Sequence, residues 1–378
     1  MTKNLDLTDI QGNIVKAYGA YNFHKARYLF MRIDNGDKGR KFVGTITTKV
    51  TTAVHWTKDD ASTGVAKPLV TTNIAFTYSG LKALELPRAS LKGFPEDFVM
   101  GMRERKDILG DDGPSDPKHW DKIWQETVHI WISINGQTID AVNERYEWIL
   151  KQIEASDGGV KLLTGHRGEN GEDDLPYQDA SVLYDASGNP TAKEHFGYTD
   201  GIGDPVFEGQ TNIPDRVLGR GKLTREGGWE PLATGEFILG HVDEAMEYPR
   251  TAPAPDLLSN NGTYMVYRKL HENVGSFNRF LDEQSKIFPG SKEMLAAKFS
   301  GRWRDNGAPI VNAPDDESKK VWDEKFAEAD FAAKKRMLTD FTYNQDIGGA
   351  KCPLSAHIRR INPRGSLEYG VKDAFDTP

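Results

Sequence analysis

Between Val128 and Ile134 the chain places Val128, Ile130, Ile132 and Ile134 on one side and His129, Trp131 and Ser133 on the other. A period of two with one apolar face predicts a half-buried β-strand. Asp140 to Ser156 follows with Val142, Tyr146, Ile149 and Ile153 on one stripe, the spacing of an amphipathic helix. Upstream, Arg27 to Ile33 alternates Tyr28, Phe30 and Arg32 against Leu29, Met31 and Ile33, and Val70 to Tyr78 is a second strand candidate closed by Ser79-Gly80. Asp37 to Val50 between them reads as helix, weakened by Thr45 to Thr48. Val160 to Thr164 returns as a strand after Gly158-Gly159. Strand, helix, strand, long insertion, strand, helix, strand is the order of a ferredoxin-like α+β sandwich.

A chain of 378 residues exceeds the size at which one core usually stops growing, so two domains are expected, 1–180 and 181–378. Residues 165–195, polar and rich in Gly, Asp and Glu, read as linker and loop. Gly235 to His241 and Gly262 to Leu270 read as strands of the second half. Asn273 is placed to cap a helix carrying Val274, Phe277 and Leu281 on one stripe. Ala313 to Met337, with Asp, Glu and Lys around Trp322, Phe326 and Phe331, reads as a charged surface helix pair. No period of 20–50 residues repeats, which excludes a solenoid.

Charge excludes one broad class of function. With 48 basic against 56 acidic side chains the formal charge is −8, unsuited to general nucleic-acid binding. No apolar run approaches the ~20 residues of a membrane span. The start, Met1 to Leu7, lacks the charged head and apolar run of a secretory signal, so a cytoplasmic location is the default, with secretion not excluded by processing. Cys352 is the single cysteine, which forbids an intrachain disulfide and permits a reducing compartment. The histidines outside 195 and 357 have no zinc-ligand spacing, and no glycine-rich phosphate loop is present.

Two stretches carry the chemistry. Glu194-His195-Phe196-Gly197-Tyr198-Thr199-Asp200-Gly201-Ile202-Gly203-Asp204-Pro205 puts an acid on a glycine-framed turn, and Ala356-His357-Ile358-Arg359-Arg360-Ile361-Asn362-Pro363-Arg364 puts an imidazole beside cations. Alone, Asp200-Gly201 is a turn signal and His357 a hydrogen-bonded histidine next to a basic surface. Read with their neighbours, Phe196-Gly197-x-x-Asp200-Gly201-Ile202 resembles the signature of the dye-decolourising peroxidases, a family of haem enzymes. Asp9-Ile10-Gln11-Gly12-Asn13-Ile14, Asn73-Ile74-Ala75-Phe76-Thr77 with Gly80-Leu81, Asn261-Gly262-Thr263-Tyr264, Gly301-Arg302-Trp303-Arg304 and Cys352-Pro353 resemble further family segments, in the family's order.

The resemblance implies two ferredoxin-like antiparallel-sheet halves, dimeric α/β-barrel-like, with haem b held mainly by the second. It implies a peroxidase that reduces hydrogen peroxide and oxidises small aromatic or dye donors, with a haem-binding, storage or sensing protein as the competing class. His357 would be the axial iron ligand, because a neutral imidazole suits ferric iron, and Arg359 and Arg364 would pair with the propionates. Asp200 would move the peroxide proton, and an acidic optimum is expected from a carboxylate acceptor. His195 lies where the family often has a histidine near the haem edge, a surface histidine being equally compatible. Arg302 and Arg304 stand as propionate or packing residues. A homo-oligomer is permitted.

The family also carries a distal arginine after the histidine motif, aimed at the charge that develops as the peroxide bond breaks. Gly365 to Pro378 contains no arginine. Three readings follow: a fragment whose remainder is a separate C-terminal polypeptide, a naturally short variant, or a chain that has lost peroxidase activity. A short variant would be a weak enzyme, since such a cation is worth about 10²–10³ in rate. The fragment reading is preferred because Asp200 and His357 both survive.

Overall fold

The computed structural model describes residues 5–57, 63–211, 216–224, 226–249 and 258–366. Among the described residues the chain divides into two compact units, one within 5–182 and 234–267, the other within 183–233 and 268–366. It is an α+β protein.

The first unit is built on an antiparallel sheet of β1 (Lys25–Ile33), β2 (Val70–Phe76), β3 (Ile130–Gly136) and β4 (Val160–Leu162), in the spatial order β2-β3-β1-β4. This is the ferredoxin-like order that the sequence of elements predicts. The helices Gly36–Thr47 and Ile139–Ala155 bury Phe42, Ile46, Val142 and Ile149 against Leu29, Met31, Ile33, Ile74, Ile130, Ile132 and Ile134 of the sheet. Asn35 and Thr138 start these helices by accepting from the backbone N–H groups of Lys38 and Ala141, at 3.0 and 3.2 Å. Tyr28, Phe30 and Trp131, from the alternate positions, pack with Trp124 and Tyr267.

Several motif residues are structural here. Gln11 brackets β2, its Nε2 donating to the Ile74 carbonyl at 2.8 Å and its Oε1 accepting from Ile74 N at 2.9 Å. Asn73 donates to Gln11 Oε1 and to the Thr51 carbonyl, and accepts from the Tyr18 hydroxyl. Asn261, with φ +60°, joins Asp9 at 2.7 Å and His241 at 2.9 Å. A Cβ on Gly80 would stand 2.1 Å from the His129 carbonyl oxygen, so only glycine lets that helix approach β3.

Four segments differ from the sequence reading. Residues 165–195 are not all loop, because Gln178–Ser181 forms β5 on the free edge of β1. The Arg27 guanidinium anchors it, bonding both Asp179 oxygens at 2.7 and 2.8 Å and lying 3.7 Å from the Tyr177 ring centre. Strand β2 ends at Phe76 and Ser79-Gly80 sits inside a helix, Tyr78–Ala83, capped by Thr77. Gly235 to His241 is a turn in which Ile238 N bonds the Thr234 carbonyl and Gly235 N the Val242 carbonyl, with Gly240 at φ +82° reversing the chain. Gly262 to Leu270 makes no ladder among the described residues. Its inward positions are three apart rather than two, Tyr264 against Phe98 and Tyr267 against Phe30, while Met265, Val266 and Leu270 are exposed.

The second unit carries, among the described residues, a two-stranded ladder of β6 (Lys222–Leu223) and β7 (Trp229–Glu230) and the helices Val274–Gln284, Lys292–Ser300, Asp316–Glu328, Phe331–Thr339 and His357–Ile361. Its core gathers Trp303, Ile310, Trp322, Phe341, Tyr343, Cys352 and Ala356. Asn273 caps its helix as expected, accepting from Ser276 N at 3.1 Å. The charged helix pair is present, but Trp322 is a core residue stacked on Phe326 at 4.6 Å, and Lys319 is buried between Asp305 and Asp323. Among the described residues no helix is long and apolar enough to cross a membrane.

Candidate functional site

The segment 192–204 of the second unit forms a small hairpin followed by a turn. Glu194 starts it, its two carboxylate oxygens accepting from Phe196 N at 2.8 Å and Tyr198 N at 2.6 Å. Gly197 takes φ +96° between them, where a side chain would be strained. Lys193 bridges to Thr199, and Asp200 N returns to the Ala192 carbonyl at 2.8 Å. His195 is therefore at the exposed tip and Asp200 at the base. Asp200 is also exposed, and its Oδ1 accepts from Gly201 N at 2.7 Å, leaving Oδ2 open for exchange with a ligand.

A second hairpin, Gly301 to Pro309, closed by the bridge between Arg302 and Pro309, supports this turn. Arg304 donates to the Phe196 carbonyl at 3.2 Å, and the Lys193 ammonium bonds the Arg304 and Asp305 carbonyls. Gly307, at φ +79°, leaves room for Ile202, whose Cδ1 would lie 2.6 Å from a Cβ there. The Tyr198 hydroxyl reaches the Ala296 carbonyl of the adjoining helix at 2.6 Å. The same hairpin supports the second motif, because Gly301, at φ +93°, packs on Ile358, with 2.5 Å between a built Cβ and Ile358 Cγ1. One hairpin thus touches both the Asp200 turn and the His357 helix.

His357 is the first residue of its helix and is exposed, and its imidazole has no hydrogen-bond partner among the described residues. Both ring nitrogens remain available to a ligand or metal. No cluster of three or more His, Cys, Asp or Glu that could hold a bare metal ion occurs among the described residues.

The arginines separate sharply. Arg359 is spent inside the protein: Nη1 meets Asp346 Oδ2 at 3.0 Å and the Cys352 carbonyl at 2.6 Å, Nη2 meets the Asp346 carbonyl at 2.7 Å, and the group lies 4.4 Å from the Tyr343 ring centre. Both partners of this ion pair are almost wholly buried. The expected pairing of Arg359 with a cofactor carboxylate is corrected on that ground. Arg304 is likewise committed, to Glu293 through two bonds of 2.6 and 2.9 Å.

Arg302 and Arg364 are different. Each is about 5% exposed and donates only to backbone carbonyls, Arg302 to Gly307 and Leu338, Arg364 to Thr339 and Phe341. Both guanidinium groups lie near the Phe341 ring, at 5.5 and 4.0 Å from its centre. Neither has a carboxylate within ion-pair distance among the described residues. Burial, with Arg364 adding to it, pushes Arg302 down to about 10, and burial does the same to Arg364. Two buried cations without a counter-ion fit a group bearing carboxylates. The open imidazole of His357 adds a nitrogen donor in the same unit.

Sequence reading missed Lys193, Glu194 and Arg304 as the residues that shape the turn. The signal for Glu194 was available, since an acid two and four residues before Phe196 and Tyr198 is placed to accept from their N–H groups. Arg304 and Lys193 act across more than a hundred residues of chain, and local sequence carries no trace of that.

Comparison with known proteins gives a consistent picture. Residues 9–168 match the family described as "DyP dimeric alpha+beta barrel domain". The chain is 28% identical over 367 residues to peroxidase 2 of Mycetinis scorodonius, covering 96% of this chain and 61% of that protein. It is 27% identical over 379 residues to the dye-decolorizing peroxidase of Mycena epipterygia, covering 98% and 62%. Among solved structures, an ancestral D-type dye decolorizing peroxidase superposes with a TM-score of 0.69 at 25% identity, covering 96% of this chain and 70% of that one. A fungal DyP-type peroxidase from Auricularia auricula-judae superposes with a TM-score of 0.68 at 23% identity, covering 96% and 69%. The chain spans about three-fifths of the length of the curated relatives it matches.

Proposed function

We propose that this chain, similar over nearly its whole length to dye-decolorizing peroxidases, is a haem b peroxidase that reduces hydrogen peroxide with electrons from dyes or phenols. The observation that supports this most is the shared hairpin: Gly301 to Pro309 fixes both an open carboxylate, Asp200, and an open imidazole, His357. His357 would ligate the iron, with Arg302 and Arg364 facing the propionates. Bound haem supplies the two-electron reduction of peroxide and the one-electron oxidation of donors.

The protein's part is proton movement and placement. Peroxide loses a proton from the oxygen that binds and gains one on the oxygen that leaves. Asp200 Oδ2, not engaged by the Gly201 N–H, takes the first and returns it to the second, directly or through one water. The bond from Gly201 N holds the carboxylate on its turn while this happens. His195, exposed at the tip of the hairpin, would stand at the edge of a bound cofactor, outside the proton-transfer step.

Reconstitution with haemin tests this. The full chain should take up one equivalent with a histidine-ligated Soret band, and peroxide should then drive oxidation of a dye. Asp200→Asn should keep the band and lower turnover by about 10²–10⁴. Uptake with no turnover would mark a haem-binding or sensing protein instead. Failure to take up haemin would overturn both readings.

A further inference from the structure

The ladder between β1 and β3 runs from Lys25 opposite Gly136 to Met31 opposite Ile130. His129, one residue before β3, carries the link further. Its N–H bonds the Met31 carbonyl at 2.8 Å, and its ring Nδ1 accepts the Ile33 N–H at 3.0 Å. An imidazole nitrogen thus takes the place of a carbonyl at the end of β1. The nearby carbonyls are engaged elsewhere: Val128 O accepts from Thr77 Oγ1 at 2.7 Å and Ser79 Oγ at 3.3 Å, and His129 O accepts from Thr77 N at 3.1 Å, with Gly80 close against it. Ile33 is 5% exposed, so an N–H left there without an acceptor is costly. Beyond it Asp34 N and Asn35 N bond the Gly159 carbonyl at 2.9 and 3.2 Å, and Asn35 caps the helix Gly36–Thr47. The ring therefore holds the strand end from which that helix departs.

We propose that His129 is a proton-operated latch in the first unit: the neutral ring accepts the Ile33 N–H and holds the end of β1, and the protonated ring lets that end go. Neutral imidazole has one donor and one acceptor nitrogen, whereas imidazolium has two donors and no acceptor. With the Ile33 N–H directed at Nδ1, the proton of the neutral ring is on Nε2. A proton added at Nδ1 would face that N–H, so ring and strand must part. The charged groups facing the ring are Asp34 and Arg32 of β1, with Glu126 from the segment before β3 and Lys161 of β4, opposite Arg32, around them. Asp34 is already held by Arg32 at 2.7 Å, and Arg32 also meets Glu126 at 3.4 Å, so the carboxylate nearest the ring is spent on another cation. Burial pushes the ring below the ordinary histidine range, with Asp34 opposing and Arg32 adding to it. The latch accordingly opens in mild acid rather than at neutrality.

Nitrogen NMR of the full haem-free chain labelled at histidine tests the ring, its signals being assigned by their loss in His129→Asn. At neutral pH the ring should be the Nε2–H tautomer, and it should titrate below the ordinary histidine value of about 6.5. Amide hydrogen exchange, expressed as protection relative to the unfolded chain at each pH, tests the latch. Protection of Ile33 should fall by about tenfold as the ring takes up its proton, while that of Leu29 in the middle of β1 stays unchanged. His129→Asn, whose Oδ1 can accept in place of Nδ1, should keep Ile33 protected across the same range. His129→Phe should leave Ile33 weakly protected at every pH. An Nδ1–H tautomer, a ring that titrates at or above the ordinary value, or an Ile33 amide indifferent to that titration overturns the latch. Equal loss of protection in His129→Asn would trace the change to general acid unfolding and overturn it as well. Haem takes no part in these measurements, so they stand or fall apart from the peroxidase reading.

Discussion

Arg359 and Arg364 stand five residues apart in one motif and have opposite environments. Arg359 faces a buried carboxylate, so Arg359→Met should leave Asp346 without its counter-ion, held only by the N–H groups of Lys351 and Cys352, and cost about 3–5 kcal/mol, read as a drop in urea midpoint at constant slope. Arg364 and Arg302 lack a carboxylate partner among the described residues, so an anionic ligand should relieve them. Haemin should therefore raise the melting temperature of the wild-type chain and raise it less in Arg302→Met. His357→Ala should abolish the histidine-ligated spectrum and change stability by less than about 0.5 kcal/mol, because the side chain is exposed. The motif was legible in the sequence as an imidazole beside cations. Which cation is paired was not, because Asp346 and the carbonyls of Cys352 and Phe341 are brought to the arginines by tertiary folding.

At the scale of elements, legibility follows periodicity. The β3 alternation and the Val142, Tyr146, Ile149 and Ile153 stripe identify their elements because packing there imposes a strict period. Ile132, wholly buried at the centre of the sheet, should cost about 2–5 kcal/mol as Ile132→Ala. β5 escaped notice because Gln-Asp-Ala-Ser has no apolar face, and its place on β1 depends on Arg27 meeting Asp179. The segment 262–270 misled in the opposite way: it is apolar enough for a strand, but its two inward tyrosines are spaced by three.

For the molecule as a whole, pH also enters through Asp204. Burial holds its carboxyl above the ordinary aspartate range, so the folded state binds that proton more tightly than the unfolded chain does. Its unfavourable contribution is absent below the unfolded value, grows as pH rises through the window between the two, and is complete above the folded value. Asp204→Asn should consequently be more stable than wild type at pH 7 and equal to it near pH 3 in urea titrations. The fold class, the order of the first sheet and the two chemical motifs were open to reading. The pairing of Asp204 with Arg220 was not, because the fold brings that cation back to the turn.

β1 is bonded along one edge by β3 and along the other by β4 and β5, so nearly all of its peptide groups are enclosed on both sides. In deuterated water the amides of Leu29, Phe30 and Met31 should be among the slowest of the first unit to exchange, opening only with the unit itself. Loss of the Arg27 anchor by Asp179→Ala should unzip β5 first. The amides of 25–28 that bond it would then gain deuterium quickly, while Leu29 to Met31 keep their hydrogen.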